Sequence, residues 1–280
     1  MQKTQNRKRI DLPVGAESPL ATAVRGRDQG TVDMVRDALK FNHTMLAFQP
    51  IMQARPPHDA AFFEGLIRVL DATGRVIPAK DFIGQVENSE LGRELDCASL
   101  ETGLRTLSQN EHLRLAINMS ARSIGYKRWM RILDRFLKRD STLAERLVLE
   151  INEGSAMTVP EVVADFMSEM QSKGICFTLD DFGSSSISVR HFRDLYFDAV
   201  KLHGSFVRGV HANPDNKAVV ESLVMMARRF EMLTIAASVE DKRDAQYLVS
   251  IGVDCLQGYL FGAPTVRPPW VTPESSQKTA

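Results

Sequence analysis

Short apolar runs alternate with longer amphipathic segments along most of this 280-residue chain. The runs have strand propensity and are bounded by polar or turn-forming residues. They predict eight strands, with the sequences AFQPIM, FFEGLIRV, LRLAINMS, RLVLEINE, CFTLDDFG, AVKLHGSF, LTIAASVE and CLQGYLFG. Strands that alternate with helices are typical of a mainly parallel sheet.

Helical spacing of apolar residues predicts a helix in most of the segments between these runs. The helical segments are a long region from Pro78 to about Asn110, then RWMRILDRFLKRD, VPEVVADFMSEMQSKG, the short VRHFRDLYF, NPDNKAVVESLVMMARRFEM and DKRDAQYLVSIG. Residues 1–28 are polar and aperiodic and are interpreted as a flexible leader, and residues 268–280 as a flexible tail. Residues 29–267 form the predicted barrel domain.

Eight strands predict an α/β fold closed into a (β/α)8 TIM-like barrel rather than an open doubly wound sheet. The connection from AFQPIM to FFEGLIRV is too short for a good crossover helix. The first strand is therefore expected to pair antiparallel with the second. The chain contains neither a GxGxxG nor a GxxxxGK[ST] phosphate loop, which disfavours the open-sheet nucleotide-binding folds.

Charge and composition narrow the classes of partner. The chain carries 35 Lys and Arg residues and 35 Asp and Glu residues, so its net charge is zero. This balance argues against broad electrostatic binding to nucleic acid or to an anionic membrane. No apolar stretch is long enough to span a bilayer, and no apolar core follows the basic start. A cytoplasmic location without membrane insertion is expected.

Several predicted strands carry an acid, an amide or an amine in or just after an apolar run. These residues are Glu64, Asn118, Glu150, Asp180, Asp181, Lys201 and Gln257. Burying such a group without a partner is costly, so their repeated occurrence at equivalent strand positions predicts one shared polar pocket. A barrel collects residues from its strand ends at one mouth in this way.

The types of side chain in this set indicate which ion they would bind. Glu64, Asn118, Glu150 and Asp180 offer hard oxygen ligands, which suit Mg²⁺ or Mn²⁺ better than Zn²⁺. At a strand end, Asp180 and its neighbour Asp181 can both turn toward one metal or a pair. Two metals suit phosphoester hydrolysis, in which Lys201 would neutralise a phosphate or hold the attacking water. Each residue taken alone is more simply a surface charge or part of a buried ion pair.

The motifs around these residues resemble those of the EAL domain, a family of bacterial cyclic-di-GMP phosphodiesterases. The likeness extends over roughly residues 31–266 and keeps the order of the motifs. The matching segments are Phe48-Gln49-Pro50, Glu64-Gly65-Leu66-Ile67-Arg68, Asn118-Met119-Ser120, Glu150-Ile151-Asn152-Glu153, Asp180 to Gly183, and Gln257 to Phe261.

The resemblance implies a role for each of these positions. Glu64, Asn118, Glu150 and Asp180 would hold a first metal ion, Mg²⁺ or Mn²⁺, and Asp181 would reach a second metal or its water. Lys201 would contact the attacking water or the phosphate. Further roles would fall on Gln49, Arg68 and Gln257 as ligand-binding residues and on Glu153 as a brace for the loop after Asp180-Asp181. The implied reaction opens cyclic-di-GMP to linear pGpG.

Three departures from the family pattern fall close to this chemistry. His203 stands where the family has Asp, and Ala237 where it has a Glu that is a candidate second-metal ligand or base. Glu240, which follows three positions later, survives. The third departure is the loop after Gly183, which reads Ser184-Ser185-Ser186 and differs from the family pattern. Loss of one carboxylate is expected to weaken the second ion and to raise the barrier by several kcal/mol, since tenfold in rate is about 1.4 kcal/mol.

Three functions are consistent with this pattern. The first is a degenerate EAL domain that binds cyclic-di-GMP or a protein partner with weak or no hydrolysis. The second is an active metal-dependent phosphodiesterase, with Glu240 reaching into the second site as a catalytic residue. The third is an interaction scaffold without nucleotide affinity. A homodimer or another protein partner is compatible with each function.

Overall fold

The computed structural model describes residues 19–184, 191–192 and 194–270 of the chain. The strands are β1 Thr44–Gln53, β2 Ala60–Leu70, β3 Val76–Pro78, β4 Leu115–Met119, β5 Leu147–Asn152, β6 Cys176–Phe182, β7 Ala199–Leu202, β8 Leu233–Ala236 and β9 Cys255–Leu256. The helices are α1 Pro19–Lys40, α2 Ile83–Val86, α3 Glu90–Gln109, α4 Lys127–Arg139, α5 Glu153–Ala156, α6 Pro160–Gln171, α7 Gly204–Val207, α8 Pro214–Arg229 and α9 Lys242–Ser250.

Eight strands close into a barrel in the order β1, β2, β4, β5, β6, β7, β8, β9 and back to β1. Neighbouring strands from β2 round to β9 run parallel. Strand β1 is antiparallel to both β2 and β9, because residues 54–59 are too few to carry the chain back along the outside of the sheet. The predicted barrel and its antiparallel first strand are confirmed. Of the predicted helix VRHFRDLYF, residues 189, 190 and 193 lie outside the described residues, and residues 195–197 are not helical, so the helix is not found over its C-terminal part.

The region from Pro78 to Asn110, predicted as one long helical region, is divided into separate elements. Strand β3 forms a hairpin with β2, and α2 and α3 are separate helices. The hydroxyl of Ser89 caps α3 by accepting a hydrogen bond from the backbone N–H of Leu91. The apolar stripe runs across this break because both helices bury residues in the same cluster.

Described structure extends past both predicted boundaries of the barrel domain. Helix α1 begins at Pro19, so residues 19–28 of the predicted leader are helical. At the other end, Trp270 packs edge-on against Phe48 and Phe63, with ring centroids 5.2 and 4.6 Å apart. The predicted flexibility of the ends therefore concerns residues outside the described range.

The interior of the barrel is apolar at one end and polar at the other. Ile51, Ala199, Ile235 and Cys255 form an apolar plug near the starts of the parallel strands. Because side chains alternate along a strand, Lys201 lies on the same inward face of β7 as Ala199, two residues nearer the mouth. The polar residues predicted from the sequence lie at this opposite, mouth end.

Candidate functional site

Three carboxylates surround one ammonium group at the mouth end of the barrel interior. The Nζ atom of Lys201 lies 2.6 Å from Glu150 Oε2, 3.1 Å from Glu64 Oε2 and 3.9 Å from Asp180 Oδ1. Asn118 joins them because β4 and β5 place it directly beside Glu150. These residues come from five different strands, so the predicted convergence is correct. We refer to Glu64, Glu150, Asp180 and Lys201 as the carboxylate cluster.

Hydrogen bonds join Glu64 on β2 to an amide on β4 and to an amide directly after β9. Its two oxygens accept from Asn118 Nδ2 at 2.8 Å and from Gln257 Nε2 at 2.6 Å. Gln257 Nε2 also lies 3.3 Å from Gln49 Oε1, and Gln49 Nε2 donates to the carbonyl oxygen of Gly262 at 3.0 Å. The predicted ligand-binding amides therefore border the cluster directly.

The carboxylates of the cluster differ in acidity because they share one cation unequally. Burial raises the pKa of Glu150 well above its ordinary value. Repulsion from Glu64 and Asp180 acts in the same direction, and the attraction of Lys201 opposes both without cancelling them. Burial also acts on Glu64, but the charge of Lys201 and the two amide hydrogen bonds hold its pKa at about 2. Burial raises the pKa of Asp180 to about 6, with repulsion from Glu64 in the same direction. One ammonium thus neutralises three acids incompletely.

The donor set of the cluster fits a hard divalent cation. Oxygen Oε1 of Glu150 is buried without a hydrogen-bond partner among the described residues, and Asn118 donates through its nitrogen, which leaves its carbonyl oxygen available as a ligand. Carboxylate and amide oxygens are the ligands that Mg²⁺ and Mn²⁺ prefer. Within the part of the chain that the structure describes, no three acidic, histidine or cysteine side chains are arranged to hold a metal as they stand. The ammonium of Lys201 is paired with these carboxylates instead.

Asp181 lies on the rim of the mouth rather than inside the cluster. Its backbone is left-handed, with φ 57°, which turns it away from the strand alternation that buries Asp180. Its carboxylate accepts a hydrogen bond from Asn152 Nδ2 at 2.7 Å and lies 3.8 Å from His203 Nε2. The sequence pattern did not single out Asn152, although its place two residues after Glu150 at the end of β5 was a usable signal.

The end of β8 contributes no carboxylate to the mouth. Its last residues are followed by Ala237, which is half-buried, and by Ser238, which has a left-handed backbone with φ 61°. Glu240 is exposed, and its Oε1 atom accepts a hydrogen bond from Arg208 Nε at 3.4 Å. Glu240 is thus placed outside the carboxylate cluster, and its catalytic role stays a prediction.

Arg68 and Glu153 lie where the sequence predicts, beside the mouth. Arg68 is four residues beyond Glu64 on β2, and its guanidinium donates to the carbonyl oxygens of Leu66 and Ile67 at 3.3 and 2.9 Å. Glu153 is fully buried at the start of α5, directly after β5. The loop that it is predicted to brace, including Ser185 and Ser186, lies outside the described residues, so this role stays a prediction.

A glycine stands between Glu64 and Leu66, where the family motif has Ala. A Cβ atom at Gly65 would lie 2.9 Å from Ile117 Cδ1 and 3.1 Å from Leu46 Cδ1. Both neighbours are the ends of flexible side chains, so an alanine could be accommodated at this position after small movements of Ile117 and Leu46.

Comparison with known proteins identifies the family. A model of the EAL domain matches residues 32–264. This chain belongs to the EAL-domain family. Among its relatives, cyclic di-GMP phosphodiesterase PdeF of Escherichia coli K12 is 27% identical over 237 residues, which are 83% of this chain and 31% of that protein. Cyclic di-GMP phosphodiesterase PdeB of Shewanella oneidensis is 27% identical over 234 residues, 82% of this chain and 27% of that protein.

The chain spans less than a third of the length of these curated relatives. Among solved structures, the FimX EAL domain from Pseudomonas aeruginosa bound to c-di-GMP superposes with a TM-score of 0.76 at 22% identity. That match covers 84% of this chain and 96% of the other, and it shows a shared EAL fold. None of the EAL barrel's described helices is both long enough and apolar enough to cross a bilayer.

Proposed function

We propose that this EAL domain binds cyclic-di-GMP at the barrel mouth and hydrolyses it slowly or not at all. The observation that carries this proposal is the difference between two neighbouring parts of the mouth. Glu64, Glu150 and Lys201 are buried and Asp180 is half-buried beside them, whereas the β7 and β8 ends offer His203 and Ala237. The names of the relatives and the c-di-GMP complex of the FimX domain support the choice of ligand.

The side chains of the mouth have distinct parts in this function. Glu64, Asn118, Glu150 and Asp180 would hold one Mg²⁺ or Mn²⁺, and Asp181 would hold a second ion only weakly. A bound divalent ion would polarise the phosphodiester and lower the pKa of a bound water. Gln49, Arg68 and Gln257 would bind the nucleotide, and the ammonium of Lys201 would face its phosphate once a metal ion neutralises the carboxylates.

Slow hydrolysis follows from the missing carboxylate. Ala237 supplies no lone pair, and an imidazole such as His203 cannot replace a carboxylate in balancing the charge of Mg²⁺. A domain of this kind would transmit nucleotide binding to a partner protein or to a second copy of the chain. A cytoplasmic location belongs to the same proposal.

Calorimetry and product analysis together test the proposal. Titration of the protein with cyclic-di-GMP in the presence of Ca²⁺ should give micromolar or tighter binding. Incubation with cyclic-di-GMP and Mn²⁺ should yield little pGpG. Glu64→Ala should abolish any turnover that remains, whereas Glu161→Ala, a change on the exposed face of α6, should leave binding and turnover unchanged.

The complete carboxylate cluster favours a second candidate, an active phosphodiesterase. Fast production of pGpG that Glu64→Ala abolishes would establish this alternative and overturn the claim of slow hydrolysis. Absence of cyclic-di-GMP binding at millimolar concentration would reject both candidates and leave the interaction scaffold.

A further inference from the structure

One guanidinium group bridges the two loops that follow β7 and β8. Arg208 comes directly after α7, and its backbone N–H donates to the carbonyl oxygen of Gly204 at 3.0 Å. Its Nη2 atom donates to Ser238 Oγ at 3.1 Å, and its Nε atom to Glu240 Oε1 at 3.4 Å. Arg208 is therefore held in place from both loops rather than extended freely into solvent.

The loops make room for this guanidinium at a conformational cost. Ser238 adopts a left-handed backbone, with φ 61°, which is strained for a residue other than glycine. A Cβ atom at Gly204 would lie 2.5 Å from Ser238 Oγ, so the approach of the two loops requires glycine at that position. Backbone strain of this kind is concentrated at ligand-binding sites.

Arg208 also has donors to spare. A guanidinium carries five N–H groups in a planar fork, and the two described bonds of the Arg208 side chain use only part of them. The side chain is 57% exposed, so the remaining groups are accessible. Such a fork matches the oxygens of a phosphate group and binds them with charge-assisted hydrogen bonds.

The two loops that hold Arg208 follow strands at the same end of the barrel as the carboxylate cluster. The N–H of His203 donates to the carbonyl oxygen of Phe182, and the N–H of Ala237 to that of Leu202. The ends of β6, β7 and β8 therefore lie side by side. On this side of the mouth a positive charge replaces the carboxylate that Ala237 lacks, and it is separate from Lys201, whose charge three carboxylates already engage.

We infer that Arg208 is a phosphate-binding residue for the phosphodiester of cyclic-di-GMP that lies away from the carboxylate cluster. This inference rests on the proposed binding of cyclic-di-GMP. The exposed N–H groups of Arg208 donate to non-bridging phosphate oxygens, while Ser238 holds the guanidinium in position. Glu240 competes with the phosphate for the same cation and so limits the affinity.

Calorimetry with cyclic-di-GMP and Ca²⁺ tests this role for Arg208. Arg208→Gln removes the charge and should weaken binding tenfold or more, because the phosphate loses its charge-assisted hydrogen bonds. Arg208→Lys should fall between the parent and Arg208→Gln, because an ammonium lacks the planar fork. The matched control is Arg131→Gln on the exposed face of α4, which should bind as the parent does.

Glu240→Gln separates ligand binding from loop support. It frees the guanidinium of a competing carboxylate, so binding should be unchanged or a few-fold tighter. Equal losses in Glu240→Gln and Arg208→Gln would show that the pair only holds the loops together, and would overturn the inference. Binding by Arg208→Gln equal to that of the parent would overturn it too, while leaving the proposed function intact. Failure of the parent to bind would overturn both.

Discussion

Two sides of the same barrel mouth differ in charge and in burial. On the side formed by β2, β4, β5 and β6, three carboxylates crowd around the ammonium of Lys201, in a cluster with little contact with solvent. On the side formed by the ends of β7 and β8, the charged groups are exposed, and Arg208 there pairs with a serine and a glutamate. The first side has three carboxylates for one internal cation, whereas on the second side the one guanidinium of Arg208 pairs with the one carboxylate of Glu240.

This difference assigns the binding of a metal cation and the binding of a phosphate anion to different sides of the mouth. The carboxylate side retains groups that fit a cation, whereas the β7–β8 side is suited to hold an anion directly. Excess buried negative charge also destabilises the fold, as sites kept for binding commonly do. The following predictions test the contrast, beginning with the largest effect.

Removal of the internal cation should be the most damaging change. Lys201→Met leaves three carboxylates without their shared cation, and loss of one member of a buried ion pair costs about 3–5 kcal/mol. Urea unfolding in EDTA should show this loss, and Mn²⁺ should stabilise Lys201→Met more than it stabilises the parent. Lys138→Met, on the exposed side of α4, should change the free energy of unfolding by less than about 0.5 kcal/mol. Equal stabilisation of Lys201→Met and parent by Mn²⁺ would contradict the overlap of ammonium and metal.

Addition of a carboxylate to the β8 end should make the two sides more alike. Ala237 is only half-buried, so a longer side chain has room to reach the mouth. Ala237→Glu should raise the rate of pGpG formation about ten- to hundredfold with Mn²⁺, which corresponds to about 1.4–2.7 kcal/mol. Chromatographic separation of the products measures the rate. Ala218→Glu on the exposed part of α8 serves as the control and should leave the rate unchanged. If Ala237→Glu also hydrolyses cyclic-di-GMP at the rate of the parent, the missing carboxylate at position 237 is not the cause of slow hydrolysis.

Removal of one excess carboxylate should stabilise the metal-free protein. Because the pKa of Asp180 is raised from 3.8 to about 6, the folded state binds more protons than the unfolded state between these values. Stability is therefore lost as the pH rises through this window. Asp180→Asn should gain about 1–3 kcal/mol at pH 7.5 in EDTA, and the gain should shrink toward pH 4. Urea unfolding at both pH values measures this gain in the free energy of unfolding. A variant less stable than the parent at pH 7.5 would contradict the predicted stabilisation.

The smallest effect is expected at Gly65. Gly65→Ala restores the residue of the family motif, and only the ends of Ile117 and Leu46 must move to accept the methyl group. The free energy of unfolding should change by less than about 1 kcal/mol, since alanine also restricts the unfolded chain. At Gly258 the added Cβ would lie 2.0 Å from the backbone oxygen of Val239. Gly258→Ala should therefore cost far more, and similar losses at both positions would contradict this distinction.

The sequence predicts the parts of the site that depend on strand periodicity. Glu64, Asn118, Glu150, Asp180 and Lys201 could be located because a polar group in a buried strand needs a partner, and parallel strands bring such groups together. The antiparallel first strand followed from the length of one connection. These inferences needed only local patterns and the geometry of a closed sheet.

The remaining parts depend on contacts between segments far apart in the sequence. The hydrogen bond between Arg208 and Ser238 joins two loops, and no residue spacing in either loop predicts it. The pattern left open whether Lys201 would form a buried ion pair or face a ligand, and it could not name the carboxylates with which Lys201 pairs. The break at Ser89 was hidden because the apolar stripe continues across it into the same cluster.

Helix α1 links the N-terminal side of the chain mechanically to the strand that carries Glu64. Val35 and Ala38 of α1 share an apolar cluster with Val69, which lies five residues beyond Glu64 on β2. Packed interiors transmit small displacements because they hold few voids. A displacement of α1 would therefore reach, through this apolar cluster, the strand of the barrel wall that carries Glu64.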